Sequence, residues 1–343
     1  MTSTINLFHD NHFSVLPKSA SKNCIFSKYN FDCLKGVLAF VVLFHHLFQN
    51  TNIITNGVGR FFLQNMGPWA VGVYFFISGY GLLYSCINKK NYVLIFPRNR
   101  ILPFYLIIVS LFIVYLTLDS LLKIPISTSQ IFHSLTFGGS IVENGWYLQT
   151  ILFLYIAFAI IFRFFLLKKS IIIMTIIVFF YSIYKYATGP FYTTFVTPCC
   201  FVLGGWALLL SLKYDYYIQQ KLFQVKIFSS VGFLFSIVAY LIFSKHIHSD
   251  CKWIFFIFSN VFFCTFLICI DQFLLLRNKL FKRIGDFSLE IYTLQGLWIK
   301  ILHSKIYYIS NDYQYCLLVF IATLISAYCF HFWTQKIYGI CRR

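Results

Sequence analysis

Ten apolar stretches of membrane-spanning length divide the chain. Each is about 17 to 23 residues long, and a helix needs about 20 mostly apolar residues to cross the roughly 30 Å hydrocarbon core of a bilayer. Because lipid offers no water to backbone polar groups, stretches of this length indicate helices. The sequence therefore predicts an all-α, polytopic membrane helix bundle with about ten transmembrane helices. The stretches are 31–50, 69–88, 101–118, 146–166, 170–186, 196–212, 228–244, 253–275, 287–304 and 314–335.

Composition excludes several other classes of protein. With 59% hydrophobic and 11% charged residues, the 343-residue chain is too apolar for a soluble domain. A net charge of +18 often indicates nucleic-acid binding. Here the basic residues lie between apolar stretches, which is typical of membrane topology, so we predict membrane lipids and no nucleic acid as partners. The 11 cysteines include no CxxC pair and no metal-ligand spacing with histidine, so no metal is predicted.

The lysines and arginines predict the orientation of the helices. If the N-terminus is cytoplasmic, inner segments hold 20 of the 28 basic residues and outer segments hold 7, with Lys35 inside the first span. An excess on the cytoplasmic side is the expected pattern. We therefore predict that both termini are cytoplasmic, with an N-terminal segment (1–30), a transmembrane domain (31–336) and a basic tail (337–343). The seven outer basic residues are Arg60, Lys123, Lys185, Lys245, Lys252, Lys300 and Lys305.

The first span, DCLKGVLAFVVLFHH, contains the main catalytic candidate. Lys35 and His46 are eleven residues apart, which is roughly 16 Å along a helix. Ionisable groups inside a membrane helix are costly and indicate a functional site. An imidazole can take a proton from a hydroxyl near neutral pH, so His46 is the candidate general base; a histidine bonded to a neighbouring helix is the alternative. His45 points about 100° away, so only one of the two can face a given site.

Basic residues at the inner end of the bundle indicate a binding site for an anion. Asp32 and Lys35 are three residues apart and can pair on one helix face. Together with Arg98 and Arg100, Lys35 is predicted to form a cationic mouth for a phosphate-bearing ligand. The alternative for the two arginines is topological anchoring of their span.

Polar residues in other spans complete the candidates. Ser78 lies among small residues that close helix packing explains. Glu143 can bond sugar hydroxyls and Trp146 can stack on a sugar ring, although interfacial anchoring also explains Trp146. Glu290 and Gln295 interrupt the ninth span, and we expect Glu290 to pair with the first-span lysine or with an arginine.

These segments, in this order, resemble the acyltransferase-3 family of integral-membrane acyltransferases, many of which O-acetylate bacterial surface polysaccharides. Lys35 and His46 have the family's spacing of a basic residue, ten residues and a histidine. FFISGYGLL, PRNRILPFY, NGWYLQTILFLY and GDFSLEIYTLQG resemble further family motifs, so the likeness covers 31 to about 300. In three departures, Lys35 replaces the commoner arginine, Ile151 replaces a glutamate, and Gln295 replaces a frequent histidine.

The resemblance implies an acetyl-CoA-dependent O-acetyltransferase in the bacterial cytoplasmic membrane. Acetyl-CoA would be the acyl donor, with its phosphates near Lys35, Arg98 and Arg100. His46 would deprotonate a hydroxyl of a lipid-linked or polymeric glycan that enters from outside, as part of an O-antigen, capsule or exopolysaccharide. The sugar, the acyl group, an acyl-enzyme intermediate and the oligomeric state stay open. A transporter or flippase of a lipid-linked sugar, and an inactive scaffold derived from the family, are the alternatives.

Overall fold

The computed structural model describes residues 27–54, 57–136, 141–189, 193–220, 222–246, 252–270 and 278–342. The regular structure in these ranges is helical, without a strand, and a helix lies in each of the ten predicted stretches, of which residues 271–275 are outside the described ranges. The helices are α1 (Lys28–Gln49), α2 (Gly57–Asn88), α3 (Tyr92–Phe96), a π-helical turn (Pro97–Ile101), α4 (Leu102–Leu121), α5 (Thr128–Leu135), α6 (Trp146–Phe164), α7 (Leu167–Thr188), α8 (Thr193–Val196), α9 (Cys199–Gln220), α10 (Leu222–His246), α11 (Lys252–Ile270), α12 (Lys279–Asp286), α13 (Ser288–Leu302) and α14 (Asp312–Arg342).

Seven segments of the described chain are long and apolar enough to cross a bilayer. The predicted polytopic helical membrane bundle is thus confirmed. α13 is shorter, because its 15 residues span only about 22 Å. The cytoplasmic placement of the termini stays a prediction, and α14 continues as helix to Arg342 through most of the predicted tail. The seven segments are Lys28–Gln49, Gly59–Asn88, Tyr92–Leu121, Trp146–Phe164, Leu167–Thr188, Thr193–Lys213 and Asp312–Arg342.

Helix α1 packs against α2, α12 and α13. It begins after Ser27, whose hydroxyl accepts a hydrogen bond from the Asn30 N–H at 3.1 Å, and its last turn contains His46. Glycines let α1 and α12 approach closely, since a Cβ added at Gly36 or Gly285 would overlap backbone of the other helix. This contact sets the position of the whole length of α1, from its charged beginning to its two histidines.

A π-helical turn, Pro97–Ile101, interrupts the long helical segment Tyr92–Leu121. The turn contains the two predicted binding arginines, Arg98 and Arg100. A π turn takes more residues than an α turn, so it changes the direction in which side chains leave the helix, and such turns are frequent at functional sites. The two arginines consequently enter different surroundings.

Candidate active site

Two cavities lie at opposite ends of α1. We name them by the predicted topology: the inner cavity, at the N-terminal end of α1, has a volume of about 780 Å³. The outer cavity, at the C-terminal end, has a volume of about 680 Å³. Of the predicted site residues, the inner cavity contains Asp32, Lys35, Ser78, Arg100 and Glu290, and the outer cavity contains His46 and Glu143.

Two of the three predicted anion-binding cations line the inner cavity. Lys35 Nζ lies 2.7 Å from Asp32 Oδ1, so the predicted pair forms, and Asp32 is buried. Arg100 also lines this cavity, where tyrosines 92, 155 and 338 surround its guanidinium. Arg98 does not line it, because its Nε donates to the Cys341 carbonyl at 2.8 Å. The prediction that Arg98 joins Lys35 and Arg100 at one site is therefore corrected.

The partners of Glu290 differ from the expected ones. Its Oε1 accepts hydrogen bonds from His331 Nδ1 at 3.0 Å and from the Thr334 hydroxyl at 2.7 Å. Both partners are on α14. Helix α13 packs against α14, and Glu290 lies on the side of α13 that faces it. The expected pairing with Lys35 or an arginine is therefore not found.

His331 is a potential functional residue that the sequence reasoning missed. It lies in the inner cavity with its imidazole bonded to Glu290. The signal was present, because His331 falls within the last apolar stretch and a histidine inside a membrane helix indicates a functional site. A histidine oriented by a carboxylate can exchange protons with a bound ligand.

His46 is half-buried in the wall of the outer cavity. Its Nδ1 lies 3.1 Å from Gln49 Oε1. An amide oxygen can only accept, so Nδ1 carries the hydrogen, and in the neutral imidazole Nε2 then keeps the lone pair. This arrangement leaves Nε2 able to take a proton from a hydroxyl.

His45 has a packing role. It is buried, its Nδ1 hydrogen-bonds the Leu63 carbonyl, and its ring lies so close to Gly67 that an added Cβ there would overlap it. The two neighbouring histidines thus face different surroundings, as their spacing predicts. Of these two neighbours, His46 lines the outer cavity and His45 does not; His303, after α13, lines it as well.

Charged groups from three elements meet at the outer cavity. Lys300 on α13 forms an ion pair with Asp119 on α4, whose carboxylate is buried. Glu143, in the loop before α6, lies at the same cavity. Loss of solvent raises the pKa of Glu143; the Lys300 charge opposes this rise and the Asp119 charge adds to it.

We expect Glu143→Gln to raise the melting temperature at neutral pH and to leave it unchanged near pH 4. The folded-state pKa of Glu143 lies above the unfolded value of about 4.3. The protonated carboxyl therefore makes its full contribution to stability when the pH is below the unfolded-state pKa. This contribution is lost as the pH rises through the folded-state pKa. Melting curves of the wild type and of Glu143→Gln from pH 4 to pH 8 measure the difference in melting temperature. A difference independent of pH would contradict it.

A family model described as an acyltransferase domain matches residues 28–331. The chain belongs to the acyltransferase-3 family. It is a multi-pass membrane acyltransferase, and the matched range extends from the start of α1 to His331, so it includes the lining of the outer cavity and most of that of the inner one. Searches of curated proteins and of solved structures returned no match.

Aromatic residues of the acyltransferase line its inner cavity, and one of them bonds to a residue of the outer cavity. Tyr74, Tyr147 and Tyr292 line the inner cavity, with ring centroids 5.0 Å apart for Tyr147 and Tyr292. The Tyr292 hydroxyl donates to the Asn144 carbonyl at 3.1 Å, and Asn144 lines the outer cavity. One hydrogen bond thus joins the walls of the two cavities.

Like Arg98 and His45, two further predicted residues of the acyltransferase line neither cavity. Gln295 is fully buried on α13, between the inner-cavity residue Tyr292 and the outer-cavity residue Gly296. Within the described chain, neither atom of its amide has a hydrogen-bond partner. Trp146 is half-buried and packs edge-on against Tyr147, with centroids 6.3 Å apart. Any contact of Trp146 with a sugar ring stays a prediction.

Proposed function

We propose that this acyltransferase is a bacterial inner-membrane O-acetyltransferase that moves an acetyl group from acetyl-CoA to a hydroxyl of a cell-surface glycan. The observation that carries the proposal is the placement of α1, which presents Lys35 to the inner cavity and His46 to the outer cavity. Eleven residues separate them, roughly 16 Å along the helix. A donor from one side and an acceptor from the other can therefore meet within the bundle.

The inner cavity suits the donor. Phosphates of acetyl-CoA would pair with Arg100, whose planar guanidinium can hold two phosphate oxygens, and with Lys35. Lys35 is partly neutralised by Asp32, so Arg100 contributes the larger share of the attraction. The acyl end of the donor would extend past Tyr74, Tyr147 and Tyr292 toward the outer cavity.

The outer cavity suits the acceptor and the base. His46 Nε2 would take the proton of a glycan hydroxyl, and the resulting oxygen would attack the thioester carbonyl. The new C–O bond forms as the C–S bond breaks. The leaving thiolate of CoA then takes a proton from the His46 imidazolium, which restores the neutral base.

We expect Arg100→Gln to raise the KM for acetyl-CoA about 10-fold, because a hydrogen bond to a charged group contributes about 1.5 kcal/mol. Arg98→Gln is the matched control, since Arg98 shares the π turn but bonds to Cys341 outside the cavity. The KM of each variant is measured from the transfer of radiolabelled acetyl from acetyl-CoA to surface polysaccharide in membrane vesicles.

Two results of this assay would count against the proposal. An equal or larger KM change for Arg98→Gln would place the donor elsewhere. Transfer of no label by the wild type, together with a changed amount of polysaccharide at the surface of a deletion strain, would favour transport of a lipid-linked sugar instead.

A further inference from the structure

We propose that the acyl acceptor is an acidic glycan, and that Lys123 and Lys305 bind its carboxylate or phosphate group at the outer cavity. This inference rests on the proposed function and deepens it by naming the substrate class. The acceptor would place its anionic group at the two lysines and its reacting hydroxyl at His46, which lines the same cavity.

The distribution of basic residues supports the proposal. Outer segments of a membrane protein are expected to be poor in lysine and arginine, and only 7 of the 28 lie there in the predicted topology. Three of the seven, Lys123, Lys300 and Lys305, line the cavity that contains His46. They come from the loop after α4, from α13 and from the loop after α13. Topology gives no reason for three separate elements to bring cations together at one outer site.

Two of these lysines are available to a ligand. Lys300 is neutralised by Asp119, but within the described ranges neither Lys123 nor Lys305 has a carboxylate partner within 4.0 Å. Both are exposed. Asp312, whose carboxylate accepts a hydrogen bond from the Asn52 backbone N–H at 2.9 Å, does not line the cavity.

The remaining acidic group of the outer cavity compensates these charges only partly. Partial loss of solvent raises the pKa of Glu143, which favours its neutral form. Even when Glu143 is ionised, it can offset only one of the two unpaired lysines. An anionic ligand would therefore enter a cavity that carries an excess of positive charge.

The backbone turn at the end of α4 fixes the position of Lys123. Lys123 has a φ of 55°, in the left-handed region that glycine and asparagine prefer. Its N–H donates to the Ser120 carbonyl at 3.1 Å, and Pro125 follows two residues later, so a tight turn holds it at the cavity. The Ile124 N–H also donates to the Asp119 carbonyl at 2.9 Å, so this is the left-handed turn with which many helices end, and it positions Lys123 at the cavity wall.

The wall between the lysines and the base is polar. Gln49, Asn50 and Asn144 line the same cavity and offer amide or carbonyl groups to sugar hydroxyls. Charge attraction inside a partly enclosed cavity is stronger than in bulk water. The lysines would thus bind the anionic group while the amides orient the sugar.

The test uses the full-length protein in lipid nanodiscs. The acceptor is surface polysaccharide purified from a strain of the native host that lacks the protein, either untreated, with its carboxylates amidated, or with its phosphates removed by hydrofluoric acid. Equilibrium binding and acetyl transfer are measured for the wild type, for Lys123→Gln/Lys305→Gln, and for Lys185→Gln. Lys185 is an outer lysine on α7 that does not line the cavity, so it is the control.

We expect the double variant to raise the acceptor Kd and KM about 10-fold, with kcat changed less than 2-fold and Lys185→Gln behaving as wild type. One of the two chemical treatments should raise the wild-type values by a similar factor and remove the difference between wild type and double variant. That treatment identifies carboxylate or phosphate as the bound group.

Other results would overturn the inference. Equal Kd values for wild type and double variant, or no effect of either treatment, would show that charge does not recognise the acceptor. Binding of the acidic acceptor that depends on the two lysines without any transfer would instead count against the proposed reaction and leave the acidic ligand standing. The two failures are therefore distinguishable.

Discussion

His46→Gln is expected to lower acyl transfer about 10²- to 10⁴-fold, the range for loss of a general base, at an unchanged amount of folded protein. His46 lines the outer cavity and has its Nδ1 hydrogen engaged by Gln49, so the variant removes the free Nε2 lone pair. Glutamine keeps a polar side chain of similar size at a half-buried position. Initial rates of labelled acetyl transfer to polysaccharide, normalised to the protein detected in the membrane, measure the effect.

The choice of control depends on the surroundings of each histidine. His45 is adjacent in sequence, but its ring is buried against α2 and bonds to Leu63, so removing it would disturb packing. His133 on α5 is exposed and lines neither cavity, so His133→Gln is the better control. If His331→Gln abolished transfer while His46→Gln retained it, the base would lie in the inner cavity beside Glu290.

Lys300→Met is expected to lower the free energy of unfolding by about 3–5 kcal/mol, because it leaves the buried Asp119 carboxylate without its cation. The double variant Asp119→Asn/Lys300→Met removes both charges and should recover most of the loss. Thermal or denaturant unfolding in detergent micelles, followed by tryptophan fluorescence, gives the comparison.

Lys305→Met provides the matched control for this prediction. Lys305 lines the same cavity as Lys300, but its side chain is exposed. It has no ion pair with any residue that the structure describes. Its replacement should change stability by less than about 0.5 kcal/mol. If Lys300→Met were equally mild, or the double variant no more stable than the single one, the Lys300–Asp119 pair would not stabilise the bundle.

The sequence alone was sufficient to predict the class of fold and the arrangement of the polar residues at the two ends of α1. Apolar runs of bilayer length are local properties, and helices appear at all ten of them. The 3.6-residue period separates Lys35 from His46 by about three turns and directs His45 away from His46. Because these relations are internal to one helix, they do not depend on how the helices pack.

The partners of the charged residues were decided only by the tertiary structure. Arg98 and Arg100 diverge because a π turn changes their directions, and the residues PRNRI alone do not reveal that turn.

Glu290 meets His331 on the next helix, and Lys300 meets Asp119 on a helix that lies far apart in the chain. The length and composition of a helix determine that it enters the bilayer. The close approach of small residues, as at Gly36 and Gly285, then determines which faces meet. Which ionisable groups become partners in the two cavities is a consequence of that packing.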